Sequence, residues 1–258
     1  MNKVFLCLMA ISLVFASCKK ENVTPEPFIP NKIKLAVATF SNAEKITLWA
    51  NDSLKTGFQT LYLTYTSAEG NPINNASIKL NPVMDMGTMK HSSPVVQPVY
   101  NPITKMYEGG IVFTMASGMN AWVVNVTAGD ETRSLSVKIN NSALKTTGSY
   151  VGTDGINYQV SLVPSKAFFV GLNDFQILIN KKETMMSFPA VDNLEIVLSP
   201  EMPSMGHSSP NNVNPVNTEN GYYKGKVNFT MTGNWRLHFK LKNEGVVVVE
   251  DATIDILF

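Results

Sequence analysis

The chain has 258 residues, 44% of them hydrophobic and 16% charged. That apolar share supplies folded cores and excludes wholesale disorder, and the length suits one or two domains. A formal net charge of +1 excludes the clustered cationic surface by which nucleic-acid binders displace counterions, and three histidines with two cysteines leave little for a nucleophile–base pair or a thiolate zinc site.

Met1-Asn2-Lys3 precedes an apolar run from Val4 to Ala16, and Ser17-Cys18-Lys19-Lys20 follows. A short basic start and an apolar run of about a dozen residues predict a secretory signal over 1–17, too short to cross a membrane as a helix. Phe15-Ala16-Ser17-Cys18 resembles the lipobox of bacterial lipoproteins. That resemblance implies cleavage before Cys18 and acylation of its sulfur and new amine. Several acyl chains anchor stably, since each buried CH2 contributes about 0.8 kcal/mol. Cys7 is then lost with the signal, so no internal disulfide can form, and a soft-metal site has only methionine sulfur to draw on. Residues 18–31, with Pro25, Pro27 and Pro30, read as an extended tether. The folded part is expected in the cell envelope, facing the periplasm or the cell surface.

Strand signals follow in order: 33–40, 45–50, 60–65, 76–80, 107–115, 121–127 and 133–139. These runs are short, rich in β-branched and aromatic residues, and broken by Gly, Asn and Pro turns such as Glu69-Gly70-Asn71-Pro72. No helical stripe of useful length follows the signal. After residue 149 the chain repeats itself. Residues 80–94, LNPVMDMGTMKHSSP, answer 198–210, LSPEMPSMGHSSP. Tyr107 answers Tyr223, Gly109 answers Gly225, Phe113-Thr114-Met115 answers Phe229-Thr230-Met231, and Trp122 answers Trp235. Upstream, Gly57-Phe58-Gln59 is paired with Asp174-Phe175-Gln176. The chain is a tandem duplication. About seven strands in each copy of about 110 residues argue for an all-β protein of two tandem immunoglobulin-like β-sandwiches, over 32–142 and 149–258.

Both copies carry M-x-x-M-x-H: Met86, Met89 and His91 in the first, Met202, Met205 and His207 in the second. Thioether sulfur is soft and uncharged, imidazole binds copper in either oxidation state, and neither donor is lost to oxidative disulfide formation. The expected ligand is Cu(I), with Met84, Met115 and Met231 as further sulfurs nearby. Core packing explains the same residues, because methionine is a flexible core filler and a duplication inherits its packing. An exposed binding rim is a third reading. Trp122 and Trp235 are expected to pack the cores. His238, in Trp235-Arg236-Leu237-His238-Phe239, reads as a surface or packing residue, and Met185-Met186, without counterpart in the first copy, as packing or an exposed loop.

Glu201-Met202-Pro203-Ser204-Met205-Gly206-His207, with Leu172-Asn173-Asp174-Phe175 upstream, resembles the YtkA-like domain, a small extracytoplasmic β-sandwich similar to FixH-like domains. The first copy departs from its M-P-x-M pattern: Gly87 stands for the proline, Lys90 for the small residue before histidine, and two extra residues precede Met86. The resemblance implies an envelope protein associated with copper handling and cytochrome oxidase assembly. No G-x-S-x-G elbow, Gly-rich phosphate loop, H-E-x-x-H or recurring acid pair points to catalysis. The expected partners are the membrane, through the anchor at Cys18, and, in a metal-free alternative, another envelope protein that meets the sandwich loops and edges.

Overall fold

The computed structural model describes Ile29 and residues 31–258. The signal, Cys18 and most of the expected tether lie outside the described residues. Among the described residues there is no helix, and hence none long and apolar enough to cross a membrane.

The first half contains β1 (Ile33–Thr39), β2 (Lys45–Ala50), β3 (Gly57–Thr66), β4 (Ile78–Asp85), β5 (Lys90–His91), β6 (Val95–Asn101), β7 (Met106–Phe113), β8 (Trp122–Ala128) and β9 (Glu131–Val137). The second contains β10 (Thr147–Val151), β11 (Asn157–Val163), β12 (Gly171–Lys181), β13 (Glu195–Met202), β14 (His207–Ser208), β15 (Val213–Asn217), β16 (Tyr222–Phe229), β17 (Asn234–Asn243) and β18 (Val246–Leu257). Each half pairs a five-stranded sheet with a four-stranded one: β1-β2-β3-β7-β6 with β5-β4-β8-β9, then β10-β11-β12-β16-β15 with β14-β13-β17-β18. All neighbours within the sheets are antiparallel, the arrangement of immunoglobulin-like sandwiches.

Period-two alternation builds each core. In β8, Trp122, Val124, Val126 and Ala128 are buried while Val123, Asn125 and Thr127 are less so, and β17 alternates likewise. Two separate clusters result, one around Trp122, Phe113 and Leu61, the other around Trp235, Phe229 and Phe239. Removing either indole would cost about 3–5 kcal/mol.

Polar clamps recur with the strands. The Tyr107 hydroxyl donates to the Ile73 carbonyl at 3.0 Å and accepts from the Ala76 N–H at 2.9 Å. Tyr223 does the same with Val191 and Leu194, at 2.9 and 3.0 Å. Gln97 and Asn214, in bulges of the edge strands β6 and β15, each accept a backbone N–H from the opposite sheet, Leu80 at 2.8 Å and Leu198 at 2.9 Å. These bonds occupy backbone groups that the ladders leave unpaired.

The halves touch. Phe58, Val112 and Leu178 form a small apolar seam of their own. The intervening strap is hydrogen-bonded on both sides: Thr56 N–H donates to Asn140 O at 3.0 Å, and Asp255 N–H to Lys145 O at 2.8 Å.

The seam corrects one expected match. Gly57 faces Phe113 and Gly171 faces Phe229, so the counterpart of Gly57 is Gly171 and not Asp174. Both glycines hold positive φ, 106° and 122°. The odd-numbered slip matters because it reverses the face a side chain presents. Phe58 accordingly lies in the seam while Phe175 lies in the second core.

Candidate functional site

At one end of each sandwich a short hairpin closes the four-stranded sheet. In the first half β4 turns through 86–89 into β5, pairing Met84 with His91 and Asp85 with Lys90. Gly87 takes φ of 83° there. Its N–H donates to Asp85 Oδ1 at 2.9 Å, and the Met86 N–H donates to Met89 O at 2.9 Å. Lys90 Nζ lies 3.0 Å from Asp85 Oδ2, so its charge is paired within the turn. The Gly87 N–H, then the Lys90 ammonium, hold the Asp85 carboxyl below its ordinary value.

Met84 also faces Trp122 across β4 and β8, which sets His91, Met84 and Trp122 in one cross-strand row. Directly opposed side chains share a face, with Cβ atoms about 5 Å apart. Met84 is 2% exposed and His91 7%. The imidazole stands edge-on to the indole at 5.0 Å between centroids, and the indole Nε1 donates to the Met115 carbonyl at 3.0 Å. His91 Nδ1 lies 3.2 Å from the Ser92 carbonyl, while its Nε2 is buried without a hydrogen-bond partner.

The second half brings together the same three residue types, His207, Met202 and Trp235, the β13–β17 register setting Glu201 opposite Arg236, the neighbours of Met202 and Trp235. Met202 pairs with His207, and Trp235 Nε1 donates to the Met231 carbonyl at 3.0 Å. Met202 is sealed in the core at 2% exposed, and Gly233 packs so closely that an added Cβ would come within 3.1 Å of its methyl. Met205 and Gly206 both donate backbone N–H groups to Met202 O at 3.0 Å, forming the tight 203–206 turn. His207 is half-buried, 6.2 Å from Trp235. It lines a shallow groove with Ser199, Pro200, Glu201, Gly206, Ser208 and His238. His238 joins Glu201 at 3.1 Å and Asp251 at 2.8 Å.

The M-x-x-M-x-H spacing is therefore not the geometry that the two halves share. The structural counterpart of Met202 is Met84, not Met86, because the first turn is longer and its added residues fall between Met84 and His91. Met86 and Met89 ride on that turn at 44% and 50% exposed, and Met205 on its own turn at 58%. Within the expected triplets only Met202 and His207 face each other as strand partners, while Met86 meets Met89 and Met205 meets Met202 through backbone hydrogen bonds; in the first half the strand partner of His91 is Met84. Among the described residues no three His, Cys, Asp or Glu side chains group to hold a metal.

Residues 155–240 match the YtkA-like family model. This YtkA-like domain takes in the whole Met202–His207 hairpin and Trp235, and the first half is tied to it by the recurring histidine, methionine and tryptophan and by the clamps. No curated protein matches the chain. Among solved structures, the Escherichia coli adhesin FdeC is similar at 18% identity over 86% of this chain and 66% of that one, with a TM-score of 0.27. Yersinia pseudotuberculosis InvD is similar at 11%, over 88% and 57%, with 0.27. Invasin, a bacterial integrin-binding protein, is similar at 14%, over 83% and 39%, with 0.28. The chain thus spans between 39% and 66% of the length of these proteins.

Two features escaped sequence reasoning. One is the His238 bridge between two carboxylates. The other is contact from the opposite half: the Ser92 N–H donates to the Met185 carbonyl at 2.8 Å, which brings the 183–187 turn beside His91. Met185-Met186 has no repeat partner, so self-similarity could not reveal it.

Proposed function

We propose that this is a lipid-tethered binding protein of the cell envelope, anchored at Cys18, that holds Cu(I) at the tryptophan end of its sandwiches. The carrying observation is His91 Nε2. With Nδ1 donating to the Ser92 carbonyl, Nε2 keeps a lone pair, buried and unpartnered, on the residue that faces Met84 across the hairpin. A second-nitrogen bond to a backbone carbonyl is the usual support of a metal-binding imidazole. Leaving such an atom unsatisfied costs about 1–3 kcal/mol, which a bound soft ion would offset.

His91 and Met84 are the proposed inner donors, and Met86 and Met89 the methionines of the adjoining turn. In the YtkA-like half, His207 and Met202, with Met205 on the turn, form a weaker and more open set. Neutral sulfur and imidazole suit Cu(I), which is cargo here; no bond of a substrate needs to be broken.

Titration of the detergent-solubilised full chain with Cu(I) against a competing chelator tests this reading. Tight binding that is lost in Met84→Leu and His91→Phe supports it, and absence of binding in the wild type sinks it. A second reading is favoured by the free edges of both five-stranded sheets, where the matched Val99 and Val216 are exposed. In this metal-free reading the edges meet another envelope protein, and Val99→Lys with Val216→Lys would abolish that association, while an association unchanged in the double variant would overturn it.

A further inference from the structure

The Ser92–Met185 hydrogen bond has no equivalent in the second half, and it ties the hairpin turn of one sandwich to the histidine strand of the other. The turn is preorganised. Lys181 N–H donates to Pro189 O at 2.9 Å, Glu183 N–H to Ser187 O at 3.1 Å, and Met186 N–H to Thr184 Oγ1 at 3.1 Å. The Lys181–Glu183 ion pair, 3.0 Å, braces its base. Behind it the Phe58–Val112–Leu178 seam keeps the halves in contact.

Met185 and Met186 belong to none of the three apolar clusters and stay 37% and 46% exposed. The corresponding turn of the first half, Ser67-Ala68-Glu69-Gly70-Asn71, has no methionine and holds itself with the Ser67 and Glu69 side chains instead. Two exposed methionines therefore sit on a hydrogen-bonded turn, one hydrogen bond from the residue that follows His91. Methionine at an exposed surface contributes little to folding and is suited to binding.

We infer that Met185 and Met186 supply further sulfur donors to the His91–Met84 site, so that the ion is shared between the two halves. The inference rests on the reading of His91 as a Cu(I) ligand. The donors at His91 are then completed from the second half, and loading with Cu(I) adds a second tie across the seam. It also gives the divergence of the copies a chemical sense: the methionine pair occurs only on the turn that reaches the other copy's histidine.

The experiment uses the full chain, Cu(I) as the probe and a competing chelator, with sulfur and nitrogen neighbours counted by X-ray absorption. The variants are Met185→Leu/Met186→Leu, Met84→Leu and His91→Phe. Leucine keeps the volume of an exposed methionine, so folding is preserved. The expected result is about a ten- to hundredfold loss of affinity in the double variant, the range typical of losing a supporting group at a metal site, together with fewer sulfur neighbours. If the double variant binds as the wild type does while Met84→Leu and His91→Phe fail, the shared site is overturned and the one-half site stands. If Met84→Leu and His91→Phe bind as the wild type does, the His91 reading falls and the shared site falls with it.

Discussion

The two tryptophan ends share a plan and differ in what covers the histidine. Both bring histidine, methionine and tryptophan together, and both indoles donate to the methionine carbonyl two residues beyond the preceding strand. In the first half the imidazole is buried, one nitrogen has no partner, and the second half's turn lies against the next residue. In the second the imidazole opens to a groove beside a histidine held by two carboxylates. Inherited packing explains what is common. It does not explain an unsatisfied nitrogen kept in one copy only, since such a group destabilises by about 1–3 kcal/mol. The difference is what sets the proposed site of the first half apart from its counterpart in the second.

The strongest test of the shared plan is at the indoles. Trp122→Ala and Trp235→Ala should each cost about 3–5 kcal/mol, because each is fully buried and each fills the centre of its own cluster. Thermal unfolding should show equal losses. A large inequality would mean that the two indoles do not carry the same packing load.

The next comparison concerns the histidines. Without metal, His91→Leu should leave stability unchanged or raise it by about 1 kcal/mol, because it removes a buried atom with no partner. His207→Leu, at a half-exposed position, should change little, within about 0.5 kcal/mol. Denaturant titration reads both. A loss of more than about 2 kcal/mol at His91→Leu would show that its Nε2 is satisfied in solution and would remove the ground for a ligand role.

Much of this was legible in the sequence. Strand periodicity exposes the β class because a half-buried sheet demands alternation, and β8 and β17 obey it. The strands β6 and β15 were hidden by Pro98 and Pro215 and by the bulges that carry Gln97 and Asn214, since an edge strand tolerates what a central one rejects. Motif spacing and strand register point to different methionines in the first half. Aligning the histidines favours Met86, yet Leu80-Asn81-Pro82-Val83-Met84 and Leu198-Ser199-Pro200-Glu201-Met202 match as strands, and strand register rather than loop spacing decides which sulfur faces the core. The contact between Ser92 and Met185 joins residues far apart in sequence and outside the repeat, so no local pattern announces it.

The smallest expected effect separates the two turns by pH. Asp85 accepts from Gly87 N–H and pairs with Lys90, and both hold its carboxyl below the usual carboxylate range. A lowered folded pKa means that its contribution is fully present above the unfolded value, about 3.9, and is lost as pH falls through the folded value. Pro203-Ser204-Met205-Gly206 has no carboxylate in its turn. Acidification below about pH 4 should therefore move the Gly87 amide resonance and loosen the 86–89 turn while the Met205 and Gly206 amides, bonded to the Met202 carbonyl, stay put. Asp85→Asn should abolish the pH dependence at Gly87. Equal shifts in both turns would mean that the acid transition belongs to the sandwiches and not to Asp85.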